Sequence, residues 1–423
     1  MLVTGLIMLF FLFNTGQLSS EKTRLVNTAD AVAYSAGVMH ARALNFDAYT
    51  NRALMANEVL VAQTVSIASW VAYAQGHVDD VPPLNCYEVV YSAPFWLGLA
   101  EYLPLCVALS WPPGAIAVQY AKEGVDVAAP VVVMASEAAK LNLQLAQSTM
   151  FASLLPMRTS LMREVADANY VNDGEVEIDE LPLTDNFTLF DGAPFISLNK
   201  GNDRGRMRDV ASTAAKLDRF VENRSWSSSS PWPCILAPRG DAVRSGGTNT
   251  AGLDDWKADD RASLRVESWH ISMFSMGCKT DMEYPLGSGS VAASDLGYKG
   301  MPMFYELSSK ALAYSPDNAD PDKRDPRLKF AIRLTRANNQ TMTSEGRSAI
   351  KPAGSMAIFK GKQAGGVLAA VATSEVFFER PAERADKQSE LASLFNPYWQ
   401  VHLVGNSTAV LAAAVALQAG SAP

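Results

Sequence analysis

The first twenty residues carry no charge, and that limits what the chain can fold into more than any other feature. Leu2 to Phe13 reads LVTGLIMLFFLF, and the earliest ionisable side chain is Glu21. The sequence then continues as SEKTRLVNTADAVAYSAGVMHARALNFDAYTNRALMANEVLVAQ, without proline, to Gln63. Leu25, Ala29, Val32, Ala36, Met39, Ala43 and Phe46 alternate steps of four and three, the 3.5-residue repeat of a helix-pair seam. The spacing predicts one long helix over residues 17–76, with an apolar segment over 1–20 and Ala41 off the seam. Gly16 and Gly37 are its weak points, each about 1 kcal/mol worse than alanine in a helix interior, and a bend is expected at Gly16. Asp47, Arg52 and Glu58 are expected to be solvated or paired at helical spacing.

An apolar tip on a helical stalk suits packing against other helices or lipid. Leu2, Leu6, Ile7, Leu9, Phe10, Phe11 and Phe13 are the candidate polymerisation or membrane residues. As a helix, Met1 to Phe13 rises about 20 Å, short of the ~30 Å of bilayer hydrocarbon. The uncharged Asn14 to Leu18 extends it toward a full span. A secretory signal would open with basic residues and end at a small-residue cleavage site, and neither is present. The pattern fits a chain already cut from a basic leader.

Residues 77–113 hold Pro82, Pro83, Pro112 and Pro113 with Cys86 and Cys106, a stapled connector with room for a short helix at Ala93 to Ala100. Residues 114–170 form a second helical region. There Met134, Ala138, Leu141 and Leu145, continued by Ser148, Ala152 and Leu155, repeat the four-three step, and Pro130 and Pro156 are expected to bend the helix. Together the regions predict an antiparallel helical hairpin stalk. The Leu25–Phe46 seam would face the Met134–Leu155 stripe or the same stripe of a neighbouring copy.

Residues 173–404 read as a β-rich surface domain, mainly antiparallel, and 405–423 as an alanine-rich tail. Strands are expected at Leu264–Met276, Met301–Leu307, Leu328–Arg336, Ser355–Lys360, Val367–Glu379 and Trp399–Val404, a helix at Ala211–Val221, and loop over Ser225–Gly252. The fold class is therefore α+β: a long N-terminal helix with an apolar tip, a helical hairpin and a β-rich C-terminal domain.

The chemistry is sparse. The net charge of −8, with no run of Lys and Arg, argues against a nucleic-acid partner. Four cysteines form no C-x-x-C; the favoured pairing is local, Cys86–Cys106 and Cys234–Cys278, although three connectivities and free thiols stay open. The four histidines, His40, His77, His270 and His402, show no metal-ligand spacing, and His40 reads as a packing or surface residue. LGSGSVA (Leu286 to Ala292) misses the G-x-S-x-G nucleophile elbow, and Ser19 to Lys22 matches S-x-x-K without partner motifs. No catalytic set emerges, so an enzyme is not expected. No cofactor is expected either. Calcium is the one metal considered, at Asp173, Glu175 and Glu180 of NYVNDGEVEIDE or at Asp317, Asp320, Asp322 and Asp325, where solvated turns are the simpler reading.

The stretch from Ser20 to Gln63 resembles the N-terminal region of TadG-like Flp/Tad pilus-assembly proteins of bacteria. VFFERPAERADKQSELASLFNPYWQVHL, Val376 to Leu403, is similar to the closing strand region of the same group. The resemblance covers about a sixth of the chain. It implies a structural subunit of an extracellular type IV-like filament on the cell surface, anchored in the inner membrane before assembly. Its implied partners are copies of itself in a helical filament, the pilus-type assembly machinery and a prepilin peptidase that removes a leader. The alternative is a membrane-anchored minor pilin, adhesin or assembly adaptor. Type IV pilins usually carry glutamate at the fifth mature position; this chain has Gly5 there.

Overall fold

The computed structural model describes residues 1–80, 107–109, 111–181, 184–230, 232–272, 275–315, 318–320, 323–344, 346–351, 366–382, 384–388 and 390–420. In chain order the elements are α1 (Leu2–Asp80), α2 (Pro112–Asn169), β1 (Glu177–Glu180), β2 (Ile196–Asn199), α3 (Gly205–Ala215), β3 (Trp226–Ser229), β4 (Arg239–Ala251), β5 (Asp255–Ser272), β6 (Ser275–Ala292), β7 (Phe304–Leu307), β8 (Leu328–Ala337), β9 (Val367–Phe378), β10 (Trp399–Val404) and α4 (Thr408–Gly420). This is the expected α+β class. Cys86, Cys106, the helix expected at Ala93–Ala100 and the strand expected at Ser355–Lys360 lie outside the described residues. α1 runs unbroken through Gly16, and α2 through Pro130 and Pro156.

The chain divides into two compact units, residues 1–51, 146–198 and 305–423 in one and 52–145 with 199–304 in the other. Helices and strands share cores within each unit, so the hairpin is not a stalk separate from a 173–404 strand domain. In the first unit β1, β8, β9 and β10 form an antiparallel sheet in that order. Leu328 pairs with Val376, and Trp399 with Phe378. Leu25, Ala29, Val32, Ala33 and Ala36 of α1 pack with Met162, Ala166 and Tyr170 of α2 and with Phe330, Ile332, Leu334, Ala370 and Ala372 of the sheet. The predicted seam is buried at Leu25, Ala29, Val32, Ala36 and Ala43 and half-buried at Met39 and Phe46. The burial goes well beyond one stripe. Between residues 25 and 50 only Val26, Asn27, Tyr34, Arg42 and Tyr49 are exposed, and Ala41, expected on an open face, is buried against the second cluster of this core. Gly37 is a fitted position rather than a weak one, because a Cβ there would lie 2.5 Å from Val401 Cγ2 and 2.9 Å from Ser374 Oγ.

In the second unit β3, β4, β5 and β6 form an antiparallel sheet. β5 and β6 are 18 residues each, with register shifts at Arg261/Ser263 and Val266/Glu267. The expected loop Ser225–Gly252 contains two strands, and the expected strand Leu264–Met276 is divided between β5 and β6. β4 (RGDAVRSGGTNTA) is polar because it needs small side chains. Gly246 leaves room for the buried Asp260, which binds Arg224 at 2.7 Å and Arg244 at 3.3 Å. Val61, Ala62 and Val65 of α1 share a core with Val133, Trp256, Ala258 and Met301. LGSGSVA also finds its use here. Gly287, at φ +105°, and Gly289 bring β6 against the α1 backbone at Ser69, Tyr73 and His77, where a Cβ would collide. Cys234 and Cys278 are disulfide-bonded, with Cα atoms 5.9 Å apart.

α2 runs antiparallel to α1, but not through the predicted stripe. Met134, Ala138, Leu141 and Leu145 are exposed; Ala129, Val133, Ser136 and Lys140 face inward in the second unit, and Gln147, Leu154, Arg158, Met162 and Ala166 in the first. The reason is polar. Lys140 Nζ lies 2.7 Å from Glu58 Oε1 and donates to Gly300 O at 3.1 Å. Trp256 Nε1 and Tyr298 Oη donate to Glu58 at 2.9 and 2.7 Å. Burial and the Glu58 charge push the Tyr298 hydroxyl pKa well up. In the first unit Gln147 Nε2 donates to Thr50 Oγ1 and Asn51 Oδ1, and Asn51 Nδ2 to the carbonyls of Tyr305 and Leu394. Arg158 binds Glu180 and Asp185 at 2.7 Å and reaches His40 Nε2 at 3.1 Å. Burial and Arg158 depress the His40 pKa to about 3, so His40 stays neutral as a packed acceptor. Asp47 and Glu58 are thus buried, and Glu58 is paired across the helices with Lys140 rather than solvated or paired at helical spacing, because helices that bury several faces also bury their polar residues.

Two measurements check this packing. Ala36→Leu and Ala41→Leu should each lower the stability of the first unit by about 1–3 kcal/mol through overpacking; a neutral Ala41→Leu in urea unfolding would mean an open face. Burial and the nearby Glu306 raise the Asp47 pKa to about 8. Asp47 therefore keeps its proton in the folded state over a range where the unfolded chain has lost it. Its stabilising contribution is full below about pH 4 and falls as pH rises toward 8, by at most about 1.4 kcal/mol per pH unit. Asp47→Asn should flatten that decline; an unchanged slope between pH 5 and 8 would contradict the burial argument.

Candidate functional site

The candidate site is the start of α1 and the place where the folded chain closes around it. Leu2, Leu6, Leu9, Phe11 and Phe13 are exposed, and Ile7 and Phe10 half-buried. The exposures of Leu2, Leu9 and Leu12 are 79%, 64% and 69%. A window of 18 residues here has a mean hydropathy of 1.6 and is 6% buried. Among the described residues α1 alone is long and apolar enough to cross a membrane. Within it, Thr15 Oγ1 donates to Phe11 O at 2.8 Å and Thr23 Oγ1 to Ser19 O at 2.9 Å, so these hydroxyls are satisfied inside the helix.

Enclosure begins at Asn14, which is 1% exposed and accepts the Ser344 backbone N–H at 2.9 Å. The first charged residues then point into their own chain. Glu21 is buried with its carboxylate 3.6 Å from Arg336 Nε, Lys22 donates to Ala369 O, and Arg24 pairs with Asp173. Arg336 is fully buried. It donates to Gln340 O at 2.7 Å and Asp173 O at 2.6 Å and stacks 4.5 Å from the Tyr170 ring, while Arg24 lies 4.3 Å from the same ring. Arg347 also binds Asp173. Burial works against ionisation of Asp173, but the hydrogen bond from Arg24 and the charges of Arg336, Arg347 and Arg24 outweigh it and hold its pKa below the usual range. Three guanidiniums converge on one carboxylate beside Glu21, an ionic collar on the helix where its uncharged length ends.

In the first of the two loops considered for calcium, the side chains of Asp173 and Glu180 have protein partners. Asp173 is claimed by arginines, and Glu180 binds Arg158 and accepts from Thr159 Oγ1 at 3.3 Å. Glu175 is exposed and offers only its backbone N–H, to Gln340 Oε1. Asp320 donates its backbone N–H to Asn318 Oδ1; Asp317 and Asp322 lie outside the described residues. Among the described residues no three His, Cys, Asp or Glu side chains gather as metal ligands. On the exposed hairpin, Ser268, His270 and Asp281 meet, but the serine and the aspartate both reach His270 Nε2, which is not the relay geometry of a nucleophile.

The apolar tip and the charge boundary at Glu21 are plain in the sequence. Arg336, Arg347, Tyr170 and Asn14 are not, since their role depends on contacts more than a hundred residues apart. Residues 1–43 match the family model described as "Putative Flp pilus-assembly TadE/G-like". No curated protein and no solved structure matches the chain. The matched segment takes in the free tip, the collar residues of α1 and most of the seam, so the N-terminal segment of this chain is TadE/G-like, of the kind found in Flp pilus assembly.

Proposed function

We propose that the chain is a structural subunit of a bacterial Flp/Tad-type pilus. Its tip holds it in the inner membrane before assembly and packs among the tips of like chains in the extracellular filament, with the strand-rich units outside. One observation carries this reading: the chain leaves most of Leu2 to Phe13 uncovered, touches α1 at Asn14, and packs around it from Glu21 onward. At about 25 cal/mol per Å² of apolar area, covering such a helix drives either insertion or bundling. The reading assigns no catalytic step; its partners are other copies, the pilus assembly machinery and a prepilin-type peptidase. A second reading is a membrane-anchored minor pilin, adhesin or adaptor. What favours it is that α1 beyond Glu21 is wrapped by its own chain, so little more than the tip is open to neighbours.

Leu9→Asp tests the tip. A charge there costs roughly 2.5–3.5 kcal/mol on membrane-insertion scales, enough for a ~100-fold loss of membrane retention or filament yield. Urea unfolding of the two units should not change. Normal filaments and normal retention from Leu9→Asp would sink both readings. Peptide identification in sheared extracellular material separates them: filaments built mainly of this chain support the first, and its presence only in detergent extracts of the envelope supports the second.

A further inference from the structure

The second exposed apolar surface is on α2. Val127, Val131, Met134, Ala138, Leu141 and Leu145 recur at steps of four and three, and all six are exposed. Val127, Leu141 and Leu145 show 73%, 67% and 63% of their surface. A strict 3.5-residue repeat is the seam of a helix pair, yet α2 turns a different face to α1. An open groove of about 800 Å³ runs along the same stripe, walled on the far side by Met301, Pro302 and Met303. Among the described residues of the second unit, none covers this stripe.

We propose that this stripe is the interface with a second copy of the chain, the two α2 helices lying antiparallel about a two-fold axis near Ser136. Three observations select that occupant. A two-fold axis sets each surface against its own image, so free charge on it would repel. Along α2 from Val127 to Leu145 the only charged residues are Glu137 and Lys140, which bind each other at 2.5 Å, with Lys140 also bound to the buried Glu58; across the groove Arg204 pairs with Asp254 at 3.2 Å, and Lys299 is the exposed charge among the lining residues. The side-chain sizes are also self-complementary. In an antiparallel pair centred near 136, Val127 meets the partner copy at position 145, Val131 at 141 and Met134 at 138, so the long Met134 side chain falls opposite a small alanine. Finally, six exposed side chains and the groove wall supply several hundred Å² per copy, approaching the ~800 Å² per partner of a stable interface. Lipid is a poorer occupant, since among the described residues only α1 has the length and hydropathy of a membrane span.

This interface is separate from the tip and does not depend on the pilus reading. Sedimentation equilibrium of the full chain, in a detergent that covers the tip, tests it. The wild type should be a dimer. Val131→Lys and Leu141→Glu face apolar partners across the axis and should each weaken the dimer at least ~100-fold, as hot-spot substitutions do. The double variant Val131→Lys/Leu141→Glu sets a cation opposite an anion twice and should restore it. Both positions are exposed in the single chain, so circular dichroism should be unchanged in all three variants. A monomeric wild type, a dimer indifferent to either charge, or a double variant no better than the singles would overturn the proposal. Dimers lost in Leu9→Asp but kept in Leu141→Glu would show association through the tip and would overturn it equally.

Discussion

α1 and α2 are held together by buried polar rungs: Glu58 with Lys140, Asn51 with Gln147, His40 with Arg158. Each rung is internal to one unit, and all follow one antiparallel register. Apolar side chains alone would allow a helix pair to slide by a heptad at small cost. A buried lysine that must meet its glutamate does not allow that, because an unpaired buried charge costs roughly 3–5 kcal/mol. Once Lys140, Gln147 and Arg158 are committed inward, the apolar four-three stripe of α2 is rotated outward. The exposure of that stripe is thus a consequence of the polar register.

The same logic explains what the sequence disclosed. Strands β8 and β10 alternate in hydropathy because one sheet face lies on α1, β9 is a largely apolar run, and all three are readable within a residue or two. The α1 seam is readable for the same reason. β4 and the first half of β5 are not, since apart from Trp256 their buried positions hold glycine, alanines, Thr248 and paired charges such as Arg244 and Asp260 rather than an alternating run of large apolar residues. The α2 stripe is a true periodic signal assigned to the wrong partner, because periodicity reports a face made for packing and not what packs on it. Buried charges were missed for a related reason. Asp47 and Glu58 look solvated or locally paired in sequence, and only long-range neighbours such as Glu306, Trp256 and Tyr298 reveal otherwise.

The ionic collar bears on how the tip can find its register among like helices. A glutamate near the start of a pilin helix can set that register by seeking a charge on a neighbour. Here Glu21, at the end of the uncharged segment, already pairs within its own chain with Arg336. Lys22 and Arg24 are likewise committed to Ala369 and Asp173. The tip therefore offers its surroundings only shape and apolar area, and such a surface tolerates lipid and helix neighbours almost equally. That indifference is what the proposed passage from membrane to filament would require, and it leaves specific recognition to surfaces elsewhere on the chain. The uncharged, size-matched stripe of α2 has the properties such a surface requires: an ordered repeat, open area, and no charge to repel its own image.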